Sequence, residues 1–94
     1  MATLLQRIRQ KVLQNKYVIS SHAIDEMIND EIKPFGVDDV LNCLRVGKIR
    51  KKEVDFNGTK YTVSGETLDG WQLEVVIRFR TDKKLLIIAN YIVD

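Results

Sequence analysis

The stretch Trp71-Gln72-Leu73-Glu74-Val75-Val76-Ile77-Arg78-Phe79-Arg80 alternates with a period of two. Trp71, Leu73, Val75, Ile77 and Phe79 fall on one face; Gln72, Glu74, Val76, Arg78 and Arg80 fall on the other. This is the pattern of a strand with one buried face, and the apolar face needs a cover. Three more strand-like runs accompany it, at about residues 48–56, 59–66 and 85–93. Asn57-Gly58 is a strong two-residue hairpin signal. Asp69-Gly70 marks the second turn and Thr81-Asp82-Lys83-Lys84 the third. Turns this short favour antiparallel neighbours, because a parallel pair needs a crossover of about a dozen residues or more.

Upstream the period is helical. Leu4, Leu5, Ile8, Val12 and Leu13 recur at helix spacing behind Thr3, a good N-cap, and predict an amphipathic helix over about residues 3–15. Tyr17 to Ile19 reads as a short extended link. Ser20 or Ser21 then caps a second helix with Ala23, Ile24, Met27 and Ile28 as its apolar stripe. Lys33-Pro34-Phe35-Gly36 breaks it, since a proline disfavours helical geometry in the residue before it. Val37, Val40, Leu41, Cys43 and Leu44 form the inner face of a third helix, with Asp38 and Asp39 at its positive end and Gly47 as its stop. The three helices are the only material to cover the sheet. The expected fold is therefore α+β, with three N-terminal helices packed on a four-stranded antiparallel β-meander, in a single domain over residues 1–94.

Register decides which polar residues meet. If Asp69-Gly70 is a two-residue turn, Leu68 faces Trp71 and Tyr61 faces Arg78. If the last turn centres on Asp82-Lys83, Arg80 faces Leu85, Arg78 faces Ile87 and Glu74 faces Tyr91. Tyr61, Glu74, Arg78, Arg80 and Tyr91 would then share the face away from Trp71. Arginine offers bidentate phosphate contacts and aromatic rings stack on bases. A slip of one residue would undo the grouping.

Composition excludes several classes. With 94 residues, 45% hydrophobic and 30% charged, the chain is an ordinary globular one. No apolar run approaches the roughly 20 residues that span a bilayer. The N-terminus lacks an apolar signal core, so no membrane association and a cytoplasmic location are expected. A single cysteine, Cys43, fits a reducing compartment and reads as a buried small hydrophobe. No cofactor or metal is expected: the five glycines sit scattered at turns rather than in a phosphate loop, and one His with one Cys does not make a structural zinc site. Net charge is +2, but the basic residues cluster, with Lys48, Arg50, Lys51 and Lys52 in one run and Arg78, Arg80, Lys83 and Lys84 in another. Such clustering suits a positive surface for nucleic acid, or solvated strand ends.

The only histidine is His22, in Tyr17-Val18-Ile19-Ser20-Ser21-His22-Ala23. Histidine is the side chain whose ordinary pKa lies nearest neutrality, so a lone one at a helix start is the first candidate for proton transfer.

Ser21-His22-Ala23, Met27 and the helix end Leu44-Arg45-Val46-Gly47-Lys48-Ile49 resemble a small, mostly bacterial family, the domain of unknown function 4258. Tyr61-Thr62-Val63-Ser64-Gly65, Leu73-Glu74-Val75-Val76-Ile77-Arg78 and a closing strand near Tyr91 fit the same pattern. The resemblance covers about residues 17–92, with the amphipathic helix in residues 1–16 an addition suited to an interface. That family is similar to the barnase/EndoU/colicin/RelE-like ribonucleases, which include toxins. The resemblance implies a RelE-like two-layer domain in which His22 matches the conserved histidine and Arg78 a basic position on a late strand. One departure stands out: where the family often carries arginine, this chain has Asp25, Glu26, Asn29 and Asp30, which repel a phosphodiester.

Two readings follow. The first is a RelE-like, metal-independent endoribonuclease or toxin module. His22 would act as general acid or base, Arg78 would stabilise the phosphorane, Tyr61 or Tyr91 would position a base, and Arg80, Lys48, Arg50, Lys51 and Lys52 would bind RNA. Its expected partners are RNA and a cognate antitoxin protein, with a homodimer forming through the N-terminal helix. The second is a noncatalytic protein- or RNA-binding module of the same fold.

Overall fold

The computed structural model describes residues 2–93. It is α+β, with elements in the order α1 (Leu4–Leu13), β1 (Tyr17–Ile19), α2 (Ser21–Asn29), α3 (Val37–Val46), β2 (Lys48–Asp55), β3 (Gly58–Glu66), β4 (Gln72–Phe79) and β5 (Leu85–Ile92). The strands form one sheet in the order β1-β5-β4-β3-β2. β2 to β5 are antiparallel neighbours, as expected, but the sheet is five-stranded and mixed. Tyr17–Ile19, expected as a link, pairs in parallel with Leu85–Ile87 at the edge of β5. The helices are therefore not all N-terminal to the sheet: β1 separates α1 from α2. A three-residue parallel strand leaves no turn signal in the sequence, because its partner lies at the other end of the chain.

The helix starts follow local chemistry. Thr3 Oγ1 accepts from the Gln6 N–H, while Gln6 Oε1 accepts from the Thr3 N–H, a reciprocal capping box that opens α1. Asp39 Oδ2 accepts from the Gly36 N–H at the start of α3, and Asp39 Oδ1 accepts from the Leu68 N–H, tying that helix to the β3–β4 loop. Arg9 of α1 donates to the Gly47 carbonyl at the end of α3.

The core lies between the helices and one sheet face. Ile8, Val12, Ala23, Met27, Val40, Cys43 and Leu44 cover Val63, Leu73, Val75, Ile77, Leu85, Ile87 and Ile92. Leu73, Val75 and Ile77 are fully buried, as the alternation required, but Trp71 is 40% exposed. It lies outside β4: its carbonyl accepts from the Thr67 N–H, its own N–H donates to Thr67 Oγ1, and its ring stands beside Lys33 Nζ. Leu13, Ile24 and Ile28 are also exposed, so α1 and α2 bury narrower stripes than expected. Gly47 and Gly65 let α3 meet β3. A Cβ on Gly47 would come within 2.6 Å of the Cys43 and Ser64 carbonyl oxygens, and one on Gly65 within 2.8 Å of the Cys43 carbonyl oxygen.

Cys43 sits beneath this contact, fully buried, with its Sγ 3.4 Å from the Leu73 carbonyl oxygen. Burial, reinforced by the Glu74 charge, pushes its thiol up to about 12. Almost no thiolate is present near neutral pH. Iodoacetamide should leave native protein unmodified at pH 8 and alkylate it fully in denaturant, as read by intact mass. Rapid alkylation of the native protein would show that α3 opens readily.

Candidate functional site

Two registers differ from expectation, and both move candidate residues. The β3–β4 connection is not a two-residue turn: the last pair is Glu66 with Gln72, so residues 67–71 form the loop. Tyr61 consequently faces Ile77 rather than Arg78, and belongs to the helix side of the sheet. There its ring meets Phe79 edge-on at 6.5 Å, and Arg7 lies over Phe79. A second irregularity, between Val76 and Ile77 opposite β5, pairs Arg78 with Leu86 rather than Ile87; Glu74 faces Tyr91 as expected. The shared face expected for Tyr61, Glu74, Arg78, Arg80 and Tyr91 is therefore broken up.

The expected single positive surface is divided too. Arg78 pairs with Asp55 at 3.4 Å, and Arg80 lies outside β4, in the β4–β5 turn, and pairs with Asp82 at 3.1 Å. Lys52 stands opposite Tyr61, on the helix side. A bulge in β2 at Arg50, however, brings that side chain onto the open face. Its Nε lies 2.6 Å from Glu74 Oε2, and Tyr91 Oη donates to Glu74 Oε1 at 2.8 Å. Hydrogen bonding to the nearly buried Glu74, together with desolvation, raises the Tyr91 phenol above its ordinary value. Lys48, Ser64, Glu74 and Tyr91 form one row across four strands. Lys51 occupies the next row, beside Thr62, and pairs with Glu53.

His22 is set beside this row by the start of α2. Ser20 Oγ caps the helix by accepting from the Ala23 N–H, and donates to the Ile88 carbonyl at the bulge of β5. Further along, Glu26 Oε1 accepts from the Asn90 N–H and Asp30 Oδ2 from the Ile92 N–H. The two carboxylates cover the part of the β5 edge that the short β1 leaves unpaired. The imidazole, 70% exposed, has its Nε2 3.5 Å from Glu26 Oε1. His22, Glu26, Asp30 and Tyr91 line one cavity of about 340 Å³, with Asp25 and Glu31 at its wall. Asn90 is buried at the same place, and its side-chain amide has no hydrogen-bond partner among the described residues.

The candidate set thus separates into two groups. His22 and Tyr91 come together. Arg78 and Tyr61 line a different cavity of about 210 Å³ with Arg7 and Phe79. Arg78 stands four residues from Glu74 along β4, about 13 Å at the rise of a strand. Glu74 and Arg50, which join Tyr91 in a chain of hydrogen bonds, were legible only in part: the Glu74–Tyr91 pairing follows from the turn, whereas nothing in the basic run marks Arg50 as the bulged residue. Among the described residues, no group of three His, Cys, Asp or Glu side chains is placed to hold a metal ion. None of the described helices is long and apolar enough to cross a membrane.

The family model described as domain of unknown function (DUF4258) matches residues 19–91, from the end of β1 to Tyr91. The chain belongs to this family. No curated protein and no solved structure matches it. The matched DUF4258 region includes His22, the Arg50–Glu74–Tyr91 chain and the glycine contact between α3 and β3, and leaves α1 outside.

Asp30 gives the site an acid-side dependence. Desolvation raises its carboxyl, but N–H donors from Ile92, Lys33 and Ile32 together outweigh it and hold the group below the ordinary 3.8. A carboxyl depressed in the folded state contributes stability above its unfolded-state value, and that contribution fades as pH falls through the lower folded value. The urea midpoint should therefore drop on acidification below about pH 4. Asp30→Asn should show a lower midpoint at neutral pH and a shallower acid loss. Parallel pH profiles for the two proteins would show that Asp30 does not secure the β5 edge.

Proposed function

We propose that this DUF4258 domain is a metal-independent, RelE-like endoribonuclease of the toxin type, acting on single-stranded RNA. The observation that carries the reading is an exposed imidazole beside a carboxylate, in one cavity with a tyrosine whose hydroxyl is linked through Glu74 to Arg50. In the reaction a ribose 2′-oxygen attacks the adjacent phosphorus. The bond from phosphorus to the departing 5′-oxygen breaks, leaving a 2′,3′-cyclic phosphate and a 5′-hydroxyl. His22 takes the 2′-hydroxyl proton or delivers one to the 5′-oxygen, with solvent water carrying the other transfer and Glu26 orienting the ring. Tyr91 positions the nucleotide. The cation assigned to the developing phosphorane is Arg50, which takes the part the resemblance assigned to Arg78, because Arg50 is linked through Glu74 to Tyr91 of the His22 cavity whereas Arg78 lines the other one.

A noncatalytic protein-binding module is the second reading. It is favoured by the acidic wall of the His22 cavity and by the local neutralisation of Arg50, Arg78 and Arg80. The test is incubation of the purified protein with single-stranded RNA in the presence of EDTA. Fragments ending in 2′,3′-cyclic phosphate, absent with His22→Ala, are the expected result. Neither RNA cleavage nor growth inhibition by the wild-type protein would leave the binding module.

A further inference from the structure

A cavity of about 700 Å³ lies away from His22, where the end of α3 meets the start of β2 and the β3–β4 loop. Its volume is in the range of sites that hold small ligands. The lining has two unlike ends. At one, Lys48 supplies positive charge and has no ion-pair partner among the described residues, whereas the neighbouring Arg50 is paired with Glu74. At the other stand the Glu66 carboxylate and the last turn of α3, whose dipole is negative and which accepts hydrogen-bond donors. Val46 and Leu68, both more than half exposed, form apolar walls. Between the ends, Ser64 Oγ accepts from Gln72 Nε2 at 2.7 Å, which leaves the Ser64 hydroxyl proton free to donate.

We infer that this cavity binds a nucleotide of the RNA substrate, with the phosphate at Lys48, the base between Val46 and Leu68, and its N–H edge toward Glu66. A free inorganic anion would use only the cationic end and leave the apolar walls and the acceptor end without a function. A flat, bipolar ligand uses all three. The row Lys48, Ser64, Glu74, Tyr91 joins this cavity to the one holding His22 across three strand spacings, about 14 Å. One extended oligonucleotide lying across the open face can occupy both. The inference deepens the ribonuclease reading and rests on it for the identity of the substrate.

The test is titration of isotopically labelled full-length protein with each of the four nucleoside 5′-monophosphates and, separately, with inorganic phosphate, followed by backbone amide shifts. RNA cleavage by the same preparation is measured alongside. Saturable shifts at Gly47, Ser64, Gly65 and Leu68 with at least one nucleotide, absent with phosphate alone, are expected. Lys48→Ala should weaken that binding roughly tenfold, the effect of one charge-assisted contact. Identical shifts with inorganic phosphate, or nucleotide shifts confined to the His22 cavity, would overturn the inference. RNA cleavage without nucleotide shifts here would overturn it while leaving the ribonuclease reading intact. Nucleotide binding here without any RNA cleavage would support the cavity assignment and overturn the ribonuclease reading alone.

Discussion

Replacing His22 by alanine is expected to lower RNA cleavage roughly 10²–10⁴-fold, the usual loss when a general acid or base is removed. The thermal midpoint should hardly change. The ring is 70% exposed, and its ion-pair neighbour is the partly exposed Glu26 at 3.5 Å, so its deletion creates no cavity and strands no buried donor. The cap of α2 also survives, because Ser20 makes it with the Ala23 N–H and the Ile88 carbonyl. His22→Gln, which keeps a hydrogen-bonding side chain but does not titrate, should be as inactive as the alanine variant. Activity in the glutamine variant would assign His22 to substrate positioning instead of proton transfer. Unfolding of both variants would make it a structural residue.

The same distinction between local and long-range information decides what was readable from the chain alone. Thr3 and Gly47 mark helix ends through contacts within a few residues and act as the sequence implies, and of the two serines expected to cap α2 it is Ser20 that does so. The alternation from Leu73 to Ile77 reflects burial on one face and places those residues correctly in the core. Trp71 misleads because apolar character extends the period one residue past the pairing, into a loop closed by Thr67. That loop has five residues where a Asp-Gly pair suggests two, and the odd difference turns Tyr61 to the helix side. Both bulges are invisible for a related reason: an inserted residue such as Arg50 or Ile88 has no composition of its own. The candidate site inherits these limits. His22 is conspicuous as the only histidine, but its partner Tyr91 is set by the packing of α2 against β5, which no local pattern encodes.

Ile77→Ala should be the most damaging truncation in the sheet, costing ~2–5 kcal/mol. Ile77 is fully buried on β4, the middle strand, between Tyr61 and Ile87 on the neighbouring strands. Its surroundings come from three strands and the overlying helices, so no single element can close the resulting gap, which favours the upper part of that range. Domains of this size are stable by about 5–15 kcal/mol in total, so the variant would stand near its unfolding threshold at growth temperature. The readout is the urea midpoint by circular dichroism, with Leu13→Ala as the control. Leu13 is 84% exposed, and its truncation should stay within about 0.5 kcal/mol. Equal effects of the two substitutions would contradict the placement of the core. The damage should also reach the candidate site, because Ile87 beside Ile77 carries the carbonyl that accepts the Ser20 N–H, the residue from which α2 starts and His22 is presented. Activity in Ile77→Ala should therefore fall with the folded fraction, whereas His22→Ala separates activity from folding.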